Sequence, residues 1–221
     1  MKSTDEFQYL TVLVSIILGL GLTQLLTAVG RLVQARALVR VRLYWPVPLW
    51  TVLLLLMHVQ AWWAMFDLRD HRGWTYLEFL VVLLTPTCLY LMAALALPDV
   101  AETIARSDLS GAAASGGEPA SAARGERATA GERVLDFRAH YYAQTRWFFG
   151  AAAGLLVSSL LRPLVIDGRL PLDLDRGFQV VFLALLLGAA VTRRKWYHET
   201  IAAVGAALFL TYVVLLFTHL R

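Results

Sequence analysis

Charge is what this sequence has least of. Asp, Glu, Lys and Arg make up 16% of its 221 residues, whereas a soluble domain carries about 25%. The few charges are also segregated. Phe7 to Gly30, Phe79 to Pro98 and Gly177 to Thr192 contain none, and Tyr44 to Phe66 and Thr200 to Leu220 contain only His58 and His219. A water-soluble fold, which needs polar groups over its whole surface, is excluded. Cysteine is nearly absent: Cys88 stands alone, which rules out an internal disulfide and a thiolate metal site. Lysine occurs only at positions 2 and 195, so no apolar run holds the amine that a retinal Schiff base requires.

Catalytic signatures are missing too. "HETIA" at 198–202 places Ala202 where the zinc metalloprotease motif needs its second imidazole, and the metal geometry is lost. "GLGLTQ" lacks the third glycine of a dinucleotide fingerprint, and there is no P-loop or G-x-S-x-G. A bis-histidine haem needs two histidines at one depth, whereas His58 and His219 differ by roughly 10 Å at the helical rise. No catalytic residue, metal or cofactor is expected. The net charge of +4 reports orientation in a membrane and implies no nucleic-acid partner.

What is present is a series of apolar runs. Crossing the hydrocarbon core takes about 20 mostly apolar residues. Six spanning helices are predicted: Phe7–Gly30, Tyr44–Phe66, Trp74–Leu97, Trp147–Ile166, Gly177–Thr192 and Trp196–Leu220. Arg162 and Pro163 interrupt the fourth, and the fifth is short unless Leu172 and Leu174 extend it; four spans with two re-entrant segments is the other count. The fold class is all-α, a polytopic transmembrane bundle, with helices 1–3 in residues 1–98 and helices 4–6 in residues 141–221. Residues 99–140 between them form a cytoplasmic linker. Within it, Ser107 to Gly131 lacks the large apolar side chains that would offset ordering entropy. The following "ERVLDFRAHYYAQTRWFF" reads either as an interfacial helix or as a downward extension of the fourth helix. Three helices, a linker and three more is also the pattern of a duplicated unit.

Orientation follows from the loops. Arg31, Arg36, Arg40 and Arg42 in the first, and Arg193-Arg194-Lys195 in the fifth, have no acid among them. Asp67, Asp70, Asp167, Asp173 and Asp175 neutralise the second and fourth. Odd loops are therefore cytoplasmic and both termini face outward. Asp5 and Glu6 stand where a signal peptide would be positive, so none is expected. Eighteen arginines against two lysines point to a GC-rich bacterial genome, and hence to a bacterial inner membrane.

"HVQAWWAMFDLRDHRGW", residues 58–74, concentrates two histidines, three tryptophans and two Asp/Arg pairs. Trp62, Trp63 and Trp74 at this end, with Trp45, Trp50, Trp147 and Trp196 at the other, fit two aromatic belts at headgroup level. His58 and Gln60 lie deeper. Glu78 and Arg162 each sit roughly 6 Å inside their spans, at equal depth for an ion pair. Ionisable groups within a span are functional candidates, so Glu78, Arg162, His58 and Gln60 form an outer-half polar cluster. On the inner side Gln24, Arg146, His198 and Glu199 form a second cluster, read as charge neutralisation at a helix start or as an anion or lipid-headgroup site. Gly150, Gly154 and Ser158 make a small-residue ridge, either an internal seam or a dimerisation face.

The expected partners are the lipid bilayer and other membrane-protein subunits or a second copy. The leading functional expectation is a non-enzymatic accessory, assembly or sensory component. A small-solute or ion transporter using the outer cluster comes second, and a quinone- or haem-associated redox subunit third.

Overall fold

The computed structural model describes residues 2–36, 39–101, 105, 134–168 and 174–219. Among them are six long helices: α1 (Lys2–Ala35), α2 (Pro46–Trp63), α3 (Tyr76–Ala96), α4 (Phe137–Ile166), α5 (Leu174–Val191) and α6 (Lys195–His219). A short 3-10 turn, Ala64–Leu68, ends α2. Two three-residue strands, β1 (Arg40–Arg42) and β2 (Val134–Asp136), pair in parallel. The all-α class stands. Five of the six helices are long and apolar enough to cross a membrane. The exception is α5, which offers only the shorter apolar stretch Arg176–Val191, whereas the span counted for α2 includes its 3-10 turn, Pro46–Leu68.

Local chemistry explains the helix ends. Pro46 opens α2 where its missing N–H costs nothing. Thr75 caps α3 by accepting from the backbone N–H of Glu78, whose carboxylate accepts in turn from the N–H of Thr75. Asp136 caps α4 through the N–H groups of Arg138 and Ala139, at 2.8 and 3.2 Å. Gly168, with φ +63°, supplies the left-handed residue just past the end of α4. The stretch 137–146 belongs to α4 without a break, so it extends the fourth helix and is no separate interfacial one. Arg162 and Pro163 do not interrupt α4 either. Ser107–Gly131, and Leu172 before α5, lie outside the described residues.

Helices α3 and α4 form the central pair; α1 and α2 pack on α3, α5 on α4, and α6 on α2 and α5. One face of α1, through Leu10, Val14, Leu18 and Leu25, is fully buried, while Val12, Ile16, Leu20 and Leu26 are exposed and equally apolar. That is the pattern of a helix with protein on one side and lipid on the other. Cys88 of α3 lies against Gly154 of α4, where an added Cβ would stand 2.9 Å from the sulfur. One turn on, Ser158 donates to the carbonyl of Val81 at 3.0 Å, so its oxygen is left to accept from the hydroxyl of Thr85 at 2.8 Å. Pro86 lies inside α3 between Thr85 and Thr87, and neither threonine takes up the carbonyl it frees. Thr87 donates to Leu83 and Thr85 to Ser158, whereas Pro86 frees Val82.

The two aromatic belts also need correction. Trp45, Trp62, Trp63, Trp147 and Trp196 are exposed, as belt residues are. Trp50 is instead a core residue, 4% exposed, meeting Phe148 and Phe149 edge-on at 5.4 and 6.0 Å. Trp74 is half-buried between His71 and Phe79. Their position along the helix matches a belt; their direction around it does not.

Candidate functional site

At the end of the bundle where α2 turns into α3 and α4 finishes, a cavity of about 310 Å3 is lined by Asp67, Leu68, His71, Arg162, Ile166 and Asp167. Arg162 projects from the last turns of α4 and donates to the carbonyl of Ala64, in the 3-10 turn that ends α2, at 3.4 Å. Asp67 and Asp167 supply the attractive charges around its guanidinium. Among the described residues neither closes an ion pair with it. Beyond Arg162 lies a smaller cavity of about 50 Å3, walled by Val14, Leu18, Met65, Val82 and Pro86, with Thr85 as its polar group. Arg162 and Leu68 line both cavities and form the wall between them.

The four predicted outer residues are only partly gathered here. Arg162 is in the cavity. Glu78, buried at the start of α3, serves the capping box and faces His71, with Nε2 to Oε1 3.5 Å apart. The ion pair foreseen between Glu78 and Arg162 is therefore replaced by Glu78 with His71. Equal depth placed the two at one level, but the capping geometry turns Glu78 to its own loop. The signature was present in the sequence as "TYLE" at 75–78, a T-x-x-E box. Gln60 is half-buried elsewhere on α2.

His58 points away from this cavity. It is 1% exposed, and its Nδ1 lies 2.7 Å from the carbonyl of Leu54. A carbonyl only accepts, so Nδ1 carries the hydrogen and Nε2 of the neutral ring keeps a lone pair. That atom meets no hydrogen-bond donor among the described residues and lies against Gly21 of α1. The site is tight: a β-carbon on Gly21 would collide with Nε2, so a weakly polar glycine C–H faces the lone pair.

At the opposite end the predicted cluster of Gln24, Arg146, His198 and Glu199 is dispersed. Gln24 is exposed on α1. Arg146 stacks on Trp147 at 5.3 Å, and Glu199 pairs with Lys195 at 3.5 Å. His198 is completely buried among Tyr141, Tyr142, Phe149 and Tyr197. Its Nε2 donates to the carbonyl of Thr192 at 2.7 Å, which leaves Nδ1 to accept the hydroxyl of Tyr141 at 3.1 Å. The histidine thus ties α4 to the end of α5 and the start of α6. Beside it the hydroxyls of Tyr44 and Tyr142 meet at 3.5 Å. Proximity in sequence to Arg193 and Arg194 gave no warning of this aromatic enclosure.

The ridge divides. Gly154 and Ser158 are the seam between α3 and α4, whereas Gly150 is exposed, with nothing within 4 Å of an added Cβ. Among the described residues no three His, Cys, Asp or Glu side chains gather closely enough to hold a metal ion. No protein-family model matches the chain, and neither the curated proteins nor the solved structures contain a match to it.

Proposed function

We propose that this chain is a non-enzymatic integral protein of a bacterial inner membrane, with six crossings and both ends outward, that binds a small zwitterionic solute at its outer end. In support of the arrangement, Glu6 and Tyr9 of α1 line a cavity with Trp74, Tyr76 and Phe79, so the start of the chain shares an end with the charge-neutral α2–α3 turn. The purely basic loops belong to the other end, which the positive-inside rule makes cytoplasmic.

One observation carries the binding reading: Arg162 faces a cavity across which Asp67 and Asp167 stand without closing on it. A guanidinium with unused donors suits a carboxylate, and two carboxylates opposite suit an ammonium. The small apolar cavity beyond Arg162 suits a short aliphatic group. The test is equilibrium binding of radiolabelled alanine, leucine and other zwitterionic amino acids to the purified protein. Arg162→Gln, which removes one charge-assisted contact, and Asp67→Asn/Asp167→Asn, which removes two, should each weaken binding by roughly tenfold or more. Flux of the bound solute in proteoliposomes makes the protein a carrier; binding without flux makes it a sensory component. Absence of binding by the wild type across the panel rejects the reading.

An accessory-subunit reading rests on a different observation. Gly19 of α1 and Gly150 of α4 are exposed and open, places where a helix of another subunit, or of a second copy, approaches closely. It predicts a partner that co-purifies in mild detergent and is lost on Gly150→Leu.

A further inference from the structure

The geometry points to a second binding site, for a phosphate-bearing anion, at the cytoplasmic end of the bundle, formed by Arg42, Arg138 and Lys195. It stands apart from the outer cavity and uses none of its residues. The three cations come from three places in the chain: the first loop, the first turn of α4 and the first residue of α6. The parallel pairing of β1 with β2 is what joins the first two. It sets Arg42 opposite Asp136, two residues before Arg138. Together with Leu43, Tyr44 and Lys195 these side chains line an open cavity of about 320 Å3.

The charges there do not cancel. Among the described residues Asp136 is the one acid in the wall, and its Oδ1 already accepts from the backbone N–H groups at the start of α4. Lys195 is paired with Glu199 at 3.5 Å, an i,i+4 pair in which the glutamate is half-buried and the lysine exposed, and such a pair contributes little. Arg42 and Arg138 are exposed, and the Arg138 guanidinium rests 5.9 Å over the Tyr142 ring. Lined by three cations and one acid, the cavity calls for an anion with several acceptor oxygens, which a guanidinium binds through parallel N–H groups. The level of the site points the same way. Trp45, Trp147 and Trp196, all exposed, mark this end as headgroup depth, where lipid phosphates lie. An acidic lipid headgroup and a soluble phosphate compound share this chemistry.

The test uses the full chain in phosphatidylcholine nanodiscs and, in parallel, native mass spectrometry with added phosphatidylglycerol. The wild type should retain phosphatidylglycerol over phosphatidylcholine, or be stabilised against heat by inorganic phosphate. Arg42→Gln/Arg138→Gln should weaken whichever effect is seen by roughly tenfold. Arg40→Gln, on the same strand but outside the cavity, should leave it unchanged. A lipid preference identifies the headgroup as ligand, and a phosphate effect without it identifies a soluble anion. Should the double variant fail to elute as a folded species, Lys195→Gln at its exposed position carries the same expectation. Equal responses from wild type and variants, or an equal loss in Arg40→Gln, would overturn the site.

Discussion

His58 of α2 is seated directly on Gly21 of α1, and its ring leaves no room there for a β-carbon. Because Nδ1 is held by the Leu54 carbonyl, the ring cannot swing aside without giving up a buried hydrogen bond. Gly21→Ala should therefore force α1 away from α2 and cost about 1–3 kcal/mol, the range for overpacking a filled interior. Gly19→Ala, where nothing lies within 4 Å, should be close to neutral. Thermal unfolding of both variants in detergent decides it, and equal melting temperatures would contradict the contact.

Pro163 removes the N–H that would bond the carbonyl of Ser159, and Arg176 of α5 donates to that carbonyl at 3.1 Å. Arg176→Ala should destabilise the α4–α5 pair by on the order of 1 kcal/mol. In a Pro163→Ala background the helix supplies its own N–H, so the same change should cost less. A double-mutant cycle that returns simple additivity would show that Arg176 does not serve this acceptor.

The Tyr141 hydroxyl is the donor that satisfies Nδ1 of His198. Tyr141→Phe keeps the ring packing and strands a buried acceptor, at a cost of about 1–3 kcal/mol. Tyr142→Phe, whose hydroxyl meets only that of Tyr44 among the described residues, at 3.5 Å, should cost clearly less. Stability measured by denaturation of the two variants side by side should rank them in that order.

Cys88 is buried against Gly154 and is the single thiol in the chain. A maleimide should label it only after unfolding, and at the unfolding midpoint. Cysteines introduced at Asp70 and Arg40, both exposed, should label from opposite sides of sealed vesicles, with Cys88 silent in each case. Labelling of both from one side would refute the six-crossing arrangement.

Much of the helix content was readable because lipid imposes a coarse and one-dimensional constraint: no charge for about 20 residues. The cap of α3 was readable in principle, since Thr75 and Glu78 are three residues apart and need no tertiary contact to find each other. The shortness of α5 was visible in the same way.

Rotation about each helix axis was not readable. Where both the protein interior and the surrounding lipid are apolar, hydropathy distinguishes neither face, so the same pattern fits Trp50 in the core and Trp147 outside. The sequence by itself determined that this chain carries helices long and apolar enough to cross a membrane, where they run, and which few polar groups lie within them. Only the tertiary structure decided that His58 turns to Gly21, that Glu78 turns to His71 and not Arg162, and that Arg42 lies across a strand pair from Asp136. Those choices depend on close packing between residues far apart in the chain, and no local periodicity encodes them.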